Sequence, residues 1–238
     1  MTALAEVPKR LSLVDDEDDV VAGLERRLTK RGFDVERVIP PTPSLEDTVA
    51  EVMRVSDAAL CDHHLRGGHK VNFSGAELVA ALTERDFPAV LFTGVLPAER
   101  YAIRRNMSRI PAFLARDEGG LGNERVLSAL AESVAEVRDG RRPARRRGRR
   151  TPMTIVGSRV SGSEHLVEVV VSGWSGRDAI EIPAELLAEP WSSAPHDAVG
   201  RTFFATVNIG ENDADQLFFD DFEPEQVETE QFLGSRSE

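Results

Sequence analysis

The chain has 238 residues, which is enough for two domains of ordinary size, and its single cysteine, Cys61, excludes an internal disulfide and a thiolate zinc site. Apolar residues make up 41% and charged residues 29% of the sequence, and no apolar run reaches the roughly 20 residues that span a bilayer. The N-terminus also lacks the basic-then-apolar order of a signal peptide. We therefore expect a cytoplasmic protein without a membrane partner. The net charge of −12 argues against a general nucleic-acid coat, because most of the surface would repel phosphates.

Short apolar runs alternate with longer amphipathic runs between Arg10 and Arg138, which predicts βα units around a parallel sheet. The predicted strands are Leu11 to Val14, Phe33 to Ile39, Asp57 to Cys61, Ala89 to Phe92 and Ile110 to Leu114. The predicted helices are Val20 to Leu28, one capped by Ser44, Gly75 to Leu82, one beginning at Pro97, and Asn123 to Val137. The fold class is therefore α/β, a five-stranded doubly wound parallel sheet of the flavodoxin-like kind over residues 1–138, whose ligands bind at the carboxyl ends of the strands.

The second half of the sequence has a different residue pattern. Residues 139–150 hold seven arginines and almost no apolar side chain, which predicts a solvated Arg-rich linker. The following predicted strands are Thr154 to Val160, Leu166 to Val171, Ala179 to Ile182, Thr202 to Ile209 and Gln216 to Phe222, with one helical stretch from Ala184 to Ala188. We expect a small mostly-β domain, barrel or sandwich, over residues 151–224 and an acidic disordered tail over residues 225–238.

Three aspartates follow two predicted strands directly. Asp15 and Asp16 come after the first strand and Asp62 after the third, and in a doubly wound sheet these strand ends are neighbours. Carboxylates that meet in this way repel each other unless a cation neutralises them, and oxygen ligands suit Mg²⁺. The sequence therefore predicts a magnesium site in which Asp62 can attack a phosphoryl group, with the hydroxyl of Thr93 on the same edge.

Five stretches in this order resemble the landmarks of response-regulator receiver domains of two-component systems. They are Leu11-Ser-Leu-Val-Asp-Asp-Glu17, Ala59-Leu-Cys-Asp-His-His-Leu65, Ser74-Gly75, Leu91-Phe-Thr-Gly94 and Ala112-Phe-Leu-Ala-Arg116. The resemblance covers roughly Lys9 to Arg138, and the part after Thr151 resembles no family that we recognise.

The resemblance implies a role for each matching residue. Asp15 and Asp16 are the acid pair for Mg²⁺, Asp62 is the phosphoacceptor and a third metal ligand, and His64 lends its backbone carbonyl to the metal. Thr93 is the switch hydroxyl, Phe113 is the aromatic switch residue, and Arg116 stands at the position of the family's lysine. It also implies a phosphoprotein with a sensor histidine kinase or another phosphodonor as partner, and no enzymatic activity beyond self-phosphorylation and autodephosphorylation.

The chain departs from the family pattern around the site. Arginine at position 116 is larger and planar where the family has the compact charge of lysine, and Asp117 replaces the proline that usually follows. Arg66 replaces the proline after the phosphoacceptor loop, and the loop to Gly75 is longer by about five residues, from Gly67 to Asn72. These changes leave two interpretations open, a working phosphoacceptor and a switch that is slow or silent.

Alternative interpretations stay open at this point. His63, His64 and His69 are expected to be exposed loop histidines in preference to a transition-metal site, and Cys61 is expected to be inert core. The leading hypothesis is a response regulator or pseudo-response regulator whose receiver controls a β domain that binds a protein partner. The alternatives are a phosphorylation-independent adaptor in a larger assembly and a DNA-binding regulator that uses the arginine run, although the second half shows no helix-turn-helix pattern.

Paired aromatic residues mark the second half. Phe203 and Phe204 are adjacent in one predicted strand, and Phe218 and Phe219 are adjacent in another. Neighbours in a strand point to opposite faces, so one member of each pair lies outward or meets another layer. We expect a docking surface there.

Overall fold

The structure is a computed structural model, and it describes residues 8–15, 18–65, 71–94, 100–115, 123–176 and 178–225. The contacts between residues divide the chain into two compact units. The first unit comprises Met1–Arg149 together with Val207–Phe219, and the second comprises Arg150–Thr206 together with Asp220–Glu238. The predicted division at residues 139–150 differs from this, because the chain comes back to the first unit once more near its end.

The first unit alternates strands and helices as the sequence predicts. Its strands are β1 (Arg10–Val14), β2 (Asp34–Val38), β3 (Ala58–Asp62), β4 (Ala89–Thr93) and β5 (Phe113–Ala115). Its helices are α1 (Asp18–Thr29), α2 (Leu45–Val55), α3 (Gly75–Thr83), α4 (Arg100–Arg104) and α5 (Asn123–Val137). The strands are parallel and lie in the order β2-β1-β3-β4-β5, which confirms the predicted doubly wound sheet.

The fifth strand begins later than the sequence predicts. The fifth strand was expected from Ile110 but begins at Phe113, because Met107–Arg109 form a 3₁₀ turn and the amide of Ile110 donates back to the Met107 carbonyl at 3.3 Å. That turn occupies the backbone amide that a strand beginning at Ile110 would use. The predicted start of the fourth helix at Pro97 lies outside the described residues.

Two helices begin where a nearby side chain caps them. The Ser44 hydroxyl accepts a hydrogen bond from the Asp47 amide at 3.4 Å, which confirms the predicted N-cap of α2. At α3 the Ser74 hydroxyl accepts from the Glu77 amide, and the Glu77 carboxylate accepts from the Ser74 amide at 2.7 Å. This reciprocal capping box fixes where α3 begins, next to the end of β3.

Two apolar clusters cover the two faces of the parallel sheet. One contains side chains of α2 and α3, such as Val49, Val52 and Leu82, and the other contains side chains of α1 and α5, such as Leu24 and Leu130. Every residue of β3 and β4 is buried, as expected for central strands that are covered on both faces.

The arginine run is structured over its middle, contrary to the expectation of a solvated linker. Ala144–Arg146 form a 3₁₀ turn, and Arg146 is only 5% exposed. Its Nε donates to Glu136 of α5 at 2.9 Å, and its guanidinium lies over the ring of Phe218 at 5.8 Å. The expectation was wrong for this residue because a guanidinium can be buried when a carboxylate and an aromatic ring neutralise and cover it.

The second unit contains the predicted β-rich part. Its strands are β6 (Arg149–Ser161), β7 (Glu164–Val171), β8 (Ile180–Pro183), β9 (Thr202–Val207) and β10 (Phe219–Pro224), and the outer residues Arg149, Val207 and Phe219 belong to the first unit. They form one sheet in the order β10-β9-β6-β7-β8, with β7 antiparallel to β6 and β8. The described residues of the second unit therefore hold one sheet and not the two of a sandwich. The predicted helix after Pro183 is a single 3₁₀ turn, Ala184–Leu186.

The stretch Val207–Phe219, which we call the returning segment, connects β9 to β10 and packs within the first unit. Phe218 is 1% exposed and belongs to the same apolar cluster as Met107 and Ile110. One member of each phenylalanine pair was expected to lie outward or to meet another layer, and Phe218 does the latter. In β9, by contrast, Phe203 is buried and Phe204 is half-buried.

No helix in the described part of the chain is both long and apolar enough to cross a membrane. Residues 226–238, which hold nearly all of the predicted acidic tail, lie outside the described residues.

Candidate functional site

Three polar side chains lie at the carboxyl ends of three adjacent strands. Asp62 is the last residue of β3, Thr93 is the last residue of β4, and Asp15 follows β1 directly. Val14 is paired with Cys61, so Asp15 is level with Asp62 across the sheet, and Asp62 is paired with Phe92 next to Thr93. The sheet therefore places all three at one edge, and the predicted position of Asp62 shifts by only one residue, from after the strand to its end.

All three side chains are buried. Asp15 and Thr93 are 0% exposed and Asp62 is 3% exposed. A buried carboxylate is costly unless cations or hydrogen-bond donors compensate its charge, and two of them side by side add mutual repulsion. The burial of this pair at a strand edge fits a divalent cation with oxygen ligands.

The loop after β3 is held in place by backbone contacts. The His64 amide donates to Asp62 Oδ2 at 3.1 Å, and the Gly75 amide donates to the His63 carbonyl at 3.0 Å. A Cβ atom added to Gly75 would lie 1.8 Å from the Asp62 carbonyl oxygen, so only glycine allows α3 to start this close to the loop. The Ser74-Gly75 pair marked this place in the sequence, but its steric role emerges only from the structure.

The hydroxyl of Thr93 has no hydrogen-bond partner among the described residues although it is buried. A buried hydroxyl without a partner costs free energy, and such groups in native proteins often serve a ligand. The next residue, Gly94, is exposed, and a Cβ added to it would meet no described atom within 4 Å. The Thr93 hydroxyl is therefore a candidate donor to a ligand at this edge of the sheet.

The remaining predicted site residues are only partly described. Asp16 and Arg116 lie outside the described residues, and so do His69, Asp117 and most of the longer loop. Phe113 is in β5, where it is partly buried and packs against the apolar cluster of α2 and α3. Asp15, Asp62 and the backbone of His64 are thus the described part of the predicted magnesium ligands.

The histidines do not form a transition-metal site within the described residues, where no group of three or more potential ligand side chains occurs. His63 is 5% exposed, so the expectation of an exposed loop histidine was wrong for it. Its ring lies edge-on to that of His64, with the ring centroids 5.3 Å apart. Its backbone is also held at the start of α3, where the Gly75 amide donates to the His63 carbonyl.

Cys61 is fully buried inside β3, as expected for core. Burial raises the pKa of its thiol well above the ordinary value, and the charge of the neighbouring Asp62 acts in the same direction. The thiol is therefore chemically inert in the folded protein.

Carboxylates neutralise most of the arginine run. Arg141 pairs with Asp139, Arg142 and Arg146 pair with Glu136, Arg145 pairs with Glu132, and Arg150 pairs with Glu223. Five of the seven guanidiniums thus have a carboxylate partner, although only the Arg146 side chain among them is buried. The nucleic-acid hypothesis stays an alternative.

The second unit has a small polar-aromatic cavity of about 370 Å³. Its lining comprises Arg150, Phe204, Glu223 and Pro224. The Arg150 guanidinium lies 4.9 Å from the centre of the half-buried Phe204 ring. Accessible arginine and aromatic side chains are frequent in protein-binding surfaces, and the docking surface expected in this half stays a prediction.

Comparisons with known proteins find solved structures that are similar to a little over half of the chain. No protein-family model matches the chain, and no curated protein matches it. Among solved structures, the signal receiver domain of an HD domain-containing protein from Pseudomonas fluorescens Pf-5 is 18% identical, with 58% of this chain and 96% of that chain covered and a TM-score of 0.44. A response regulator from Burkholderia pseudomallei with a phosphorylated aspartic acid, a calcium ion and citrate is 22% identical, covering 56% of this chain and 72% of its own at a TM-score of 0.41. A putative response regulator from Chloroflexus aurantiacus is 21% identical, covering 53% and 98% at a TM-score of 0.41. These three solved structures are response regulators or receiver domains, and the strand order of the first unit is by itself that of a flavodoxin-like doubly wound sheet.

Proposed function

We propose that the chain is a response regulator in signal transduction and that Asp62 is its phosphoacceptor. The observation that carries the proposal is the alignment of Asp15, Asp62 and Thr93 at the ends of three adjacent parallel strands, with a buried Thr93 hydroxyl that has no partner among the described residues. Such an edge is where doubly wound sheets bind ligands. The fold alone would not support the function, since one fold hosts many activities.

Each residue of the site has a role in phosphoryl transfer. A carboxylate oxygen of Asp62 forms a bond to phosphorus while the bond from phosphorus to the donor breaks and the donor leaves with the electron pair. When the donor is acetyl phosphate, the leaving group is acetate. Thr93 donates its hydroxyl hydrogen to a phosphoryl oxygen, and by resemblance Arg116 contacts another phosphoryl oxygen. Transfer of this kind depends mainly on positioning and on neutralising charge.

The described residues fit a Mg²⁺ ion, which Asp15, Asp62 and the His64 carbonyl would hold and to which the resemblance adds Asp16. When bound, Mg²⁺ neutralises the carboxylates and the incoming phosphoryl oxygens. The described residues support this with two buried carboxylates that are level across β1 and β3. The phosphodonor is a sensor histidine kinase or a small acyl phosphate, and the second unit binds a protein partner.

Beryllofluoride, which imitates a phosphoryl group, provides the test. We expect Mg²⁺ with beryllofluoride to shift the NMR signals of the backbone amides at His63, His64, Thr93 and Gly94 in the full chain. Asp62→Asn keeps the size of the side chain but removes its charge, and it should abolish these shifts. Absence of any shift in the unsubstituted chain at millimolar ligand would contradict the proposal and leave the phosphorylation-independent adaptor as the better hypothesis.

Acetyl phosphate supplies a covalent check. The unsubstituted chain should gain the mass of one phosphoryl group in the presence of Mg²⁺, and Asp62→Asn should gain none. Labelling that survives this substitution would place the phosphoacceptor elsewhere.

A further inference from the structure

The sheet of the second unit has one buried face and one face that reaches solvent. Side chains alternate between the two faces along a strand. In β9 the side chain of Phe203 is buried, and that of the next residue, Phe204, is half-buried. In β6 the residues that are not buried alternate with buried ones, and they include Arg150, Pro152 and Thr154. The Arg150 guanidinium lies 4.9 Å from the centre of the Phe204 ring, so these residues of β6 and β9 belong to the same face.

Apolar side chains cross this face over three adjacent strands. Thr154 of β6 is paired with the exposed Val170 of β7, and residues paired across strands lie on the same face. Val156, two residues after Thr154, is exposed as well. Because β9, β6 and β7 are neighbours in the sheet, these side chains are continuous with the ring of Phe204. We call Phe204, Pro152, Val156 and Val170 the apolar stripe.

Carboxylates border the apolar stripe on both sides. On β10 the exposed carboxylate of Glu223 lies 2.5 Å from Arg150. On the other side, Glu168 lies two residues before Val170 in β7 and is paired directly with Glu181 of β8. Like charges that stand opposite each other in a sheet are destabilising, so a cation brought to Glu168 and Glu181 would be stabilising.

The charge of the second unit selects the kind of partner. Its described residues include eleven aspartates and glutamates but only three arginines and no lysine. Such a surface repels phosphates and attracts cationic partners, so nucleic acid is disfavoured as the occupant of this face. A second copy of the chain is disfavoured too, because stacking stripe on stripe would bring the carboxylates of one copy against those of the other. Charge complementarity therefore favours a basic partner.

The spacing of the two acidic borders suits an α-helix. β10 and β8 are four strand spacings apart in the sheet, which is about 19 Å. An α-helix of about 13 residues has this length. A helix that crosses the strands can bury apolar side chains on Phe204 and Val170 while basic residues near its two ends reach Glu223 and Glu181.

We propose that the apolar stripe and its carboxylate borders are the partner-binding surface of the second unit and that the occupant is a basic amphipathic helix of another protein. The inference rests on the part of the proposed function that gives the second unit a protein partner. The cavity lined by Arg150, Phe204, Glu223 and Pro224 receives one side chain of that helix. The carboxylates set the orientation of the helix and exclude acidic competitors.

A synthetic helix tests the surface on the full chain. The probe is a peptide of about 14 residues with leucines on one side of its helix and lysines on the other. Followed by NMR, its titration should shift the backbone amides of Val156, Val170 and Phe204 and leave that of Leu60 in β3 unchanged. A control peptide with glutamate in place of every lysine should bind about 10-fold more weakly or not at all.

Matched substitutions separate this surface from the rest of the second unit. Val170→Ser removes two methyl groups from the apolar stripe and should weaken peptide binding about 10-fold. Val199→Ser is the control, because Val199 is 43% exposed against 42% for Val170 and lies outside the strands. Equal dissociation constants for the two variants, in samples whose tryptophan fluorescence is unchanged, would refute the stripe as the binding surface.

The charge of the borders has its own pair of variants. Glu223→Gln removes a 60%-exposed carboxylate and leaves Arg150 to repel the lysines, so binding should weaken about 2-fold or more at low salt and less at high salt. Asp197→Asn is the control, because Asp197 is 61% exposed and pairs with His196 away from the sheet. Equal dissociation constants at low salt would overturn the assignment of a basic occupant.

The outcomes distinguish this inference from the proposed function. Shifts confined to other amides of the second unit would refute the surface and leave the protein-binding role in place. Dimerisation of the chain that Val170→Ser abolishes would refute the helix and assign the face to a second copy. Absence of any shift at millimolar peptide would refute the inference, whereas the response of the Thr93 amide to beryllofluoride, measured without peptide, decides the phosphoacceptor independently.

Discussion

Replacement of Phe218 by alanine should destabilise the first unit, although Phe218 lies far along the chain from that unit's other core residues. The side chain is 1% exposed and belongs to the cluster that contains α2 and α3. Truncation of a buried phenylalanine costs about 3–5 kcal/mol, part as lost apolar burial and part as the cavity left behind. The two guanidiniums that cover its ring lose a cation–π partner as well.

The loss is large compared with the stability of ordinary domains, which is about 5–15 kcal/mol. For a denaturant slope of about 2 kcal/mol per molar urea, the unfolding midpoint should fall by about 1.5–2.5 M. A shift of this size lies well outside the error of the measurement.

Two spectroscopic signals separate the units in one experiment. All five α-helices described belong to the first unit, so far-ultraviolet circular dichroism follows its unfolding. Both tryptophans of the chain, Trp174 and Trp191, belong to the second unit, so tryptophan fluorescence follows that one. Phe218→Ala should lower the midpoint of the helical signal in urea.

Phe203→Ala is the matched control. Phe203 is 0% exposed in β9 and packs edge-on against Trp191, so its removal should act first on the fluorescence transition. If Phe218→Ala shifted only the fluorescence transition and left the helical one in place, Phe218 would belong to the core of the second unit and the reasoning would be refuted.

Three further predictions follow from single contacts. Arg146→Ala should lower the free energy of unfolding by about 3–5 kcal/mol, because it leaves the buried carboxylate of Glu136 without its buried partner. Arg142→Ala removes a 41%-exposed arginine from the same carboxylate and should lower it by less than about 1 kcal/mol. Equal losses of the two variants in urea unfolding would contradict the role of burial. Gly75→Ala should destabilise the first unit by about 1–3 kcal/mol and weaken beryllofluoride binding, because the new methyl group collides with the end of β3. Unchanged binding by NMR would show that α3 can move away at no cost. Cys61 should react with a disulfide reagent only as fast as the protein unfolds, because its thiol is buried and its pKa is raised, and rapid reaction in buffer would disprove that burial.

The sequence by itself predicted most of the first unit, because the signals there are local. Apolar runs of strand length, the cap at Ser44, and aspartates placed directly after strands each act within a few residues of the element they specify. Once the strand order is that of a doubly wound sheet, the carboxyl ends of β1, β3 and β4 must be adjacent, so the convergence of Asp15, Asp62 and Thr93 follows from the pattern.

Only the tertiary structure decided where the paired phenylalanines and the arginine run belong. An apolar stretch such as Leu217 to Phe219 gains from burial in any core, and burial is not directional, so the sequence does not say which core receives it. From sequence alone an arginine is likewise expected to be exposed to solvent. Arg146 is buried because the carboxylate of Glu136 and the ring of Phe218 enclose it. The same limit applies to Asp215 and Arg104, whose attraction exists only because the chain folds back from β9 onto α4 before it enters β10.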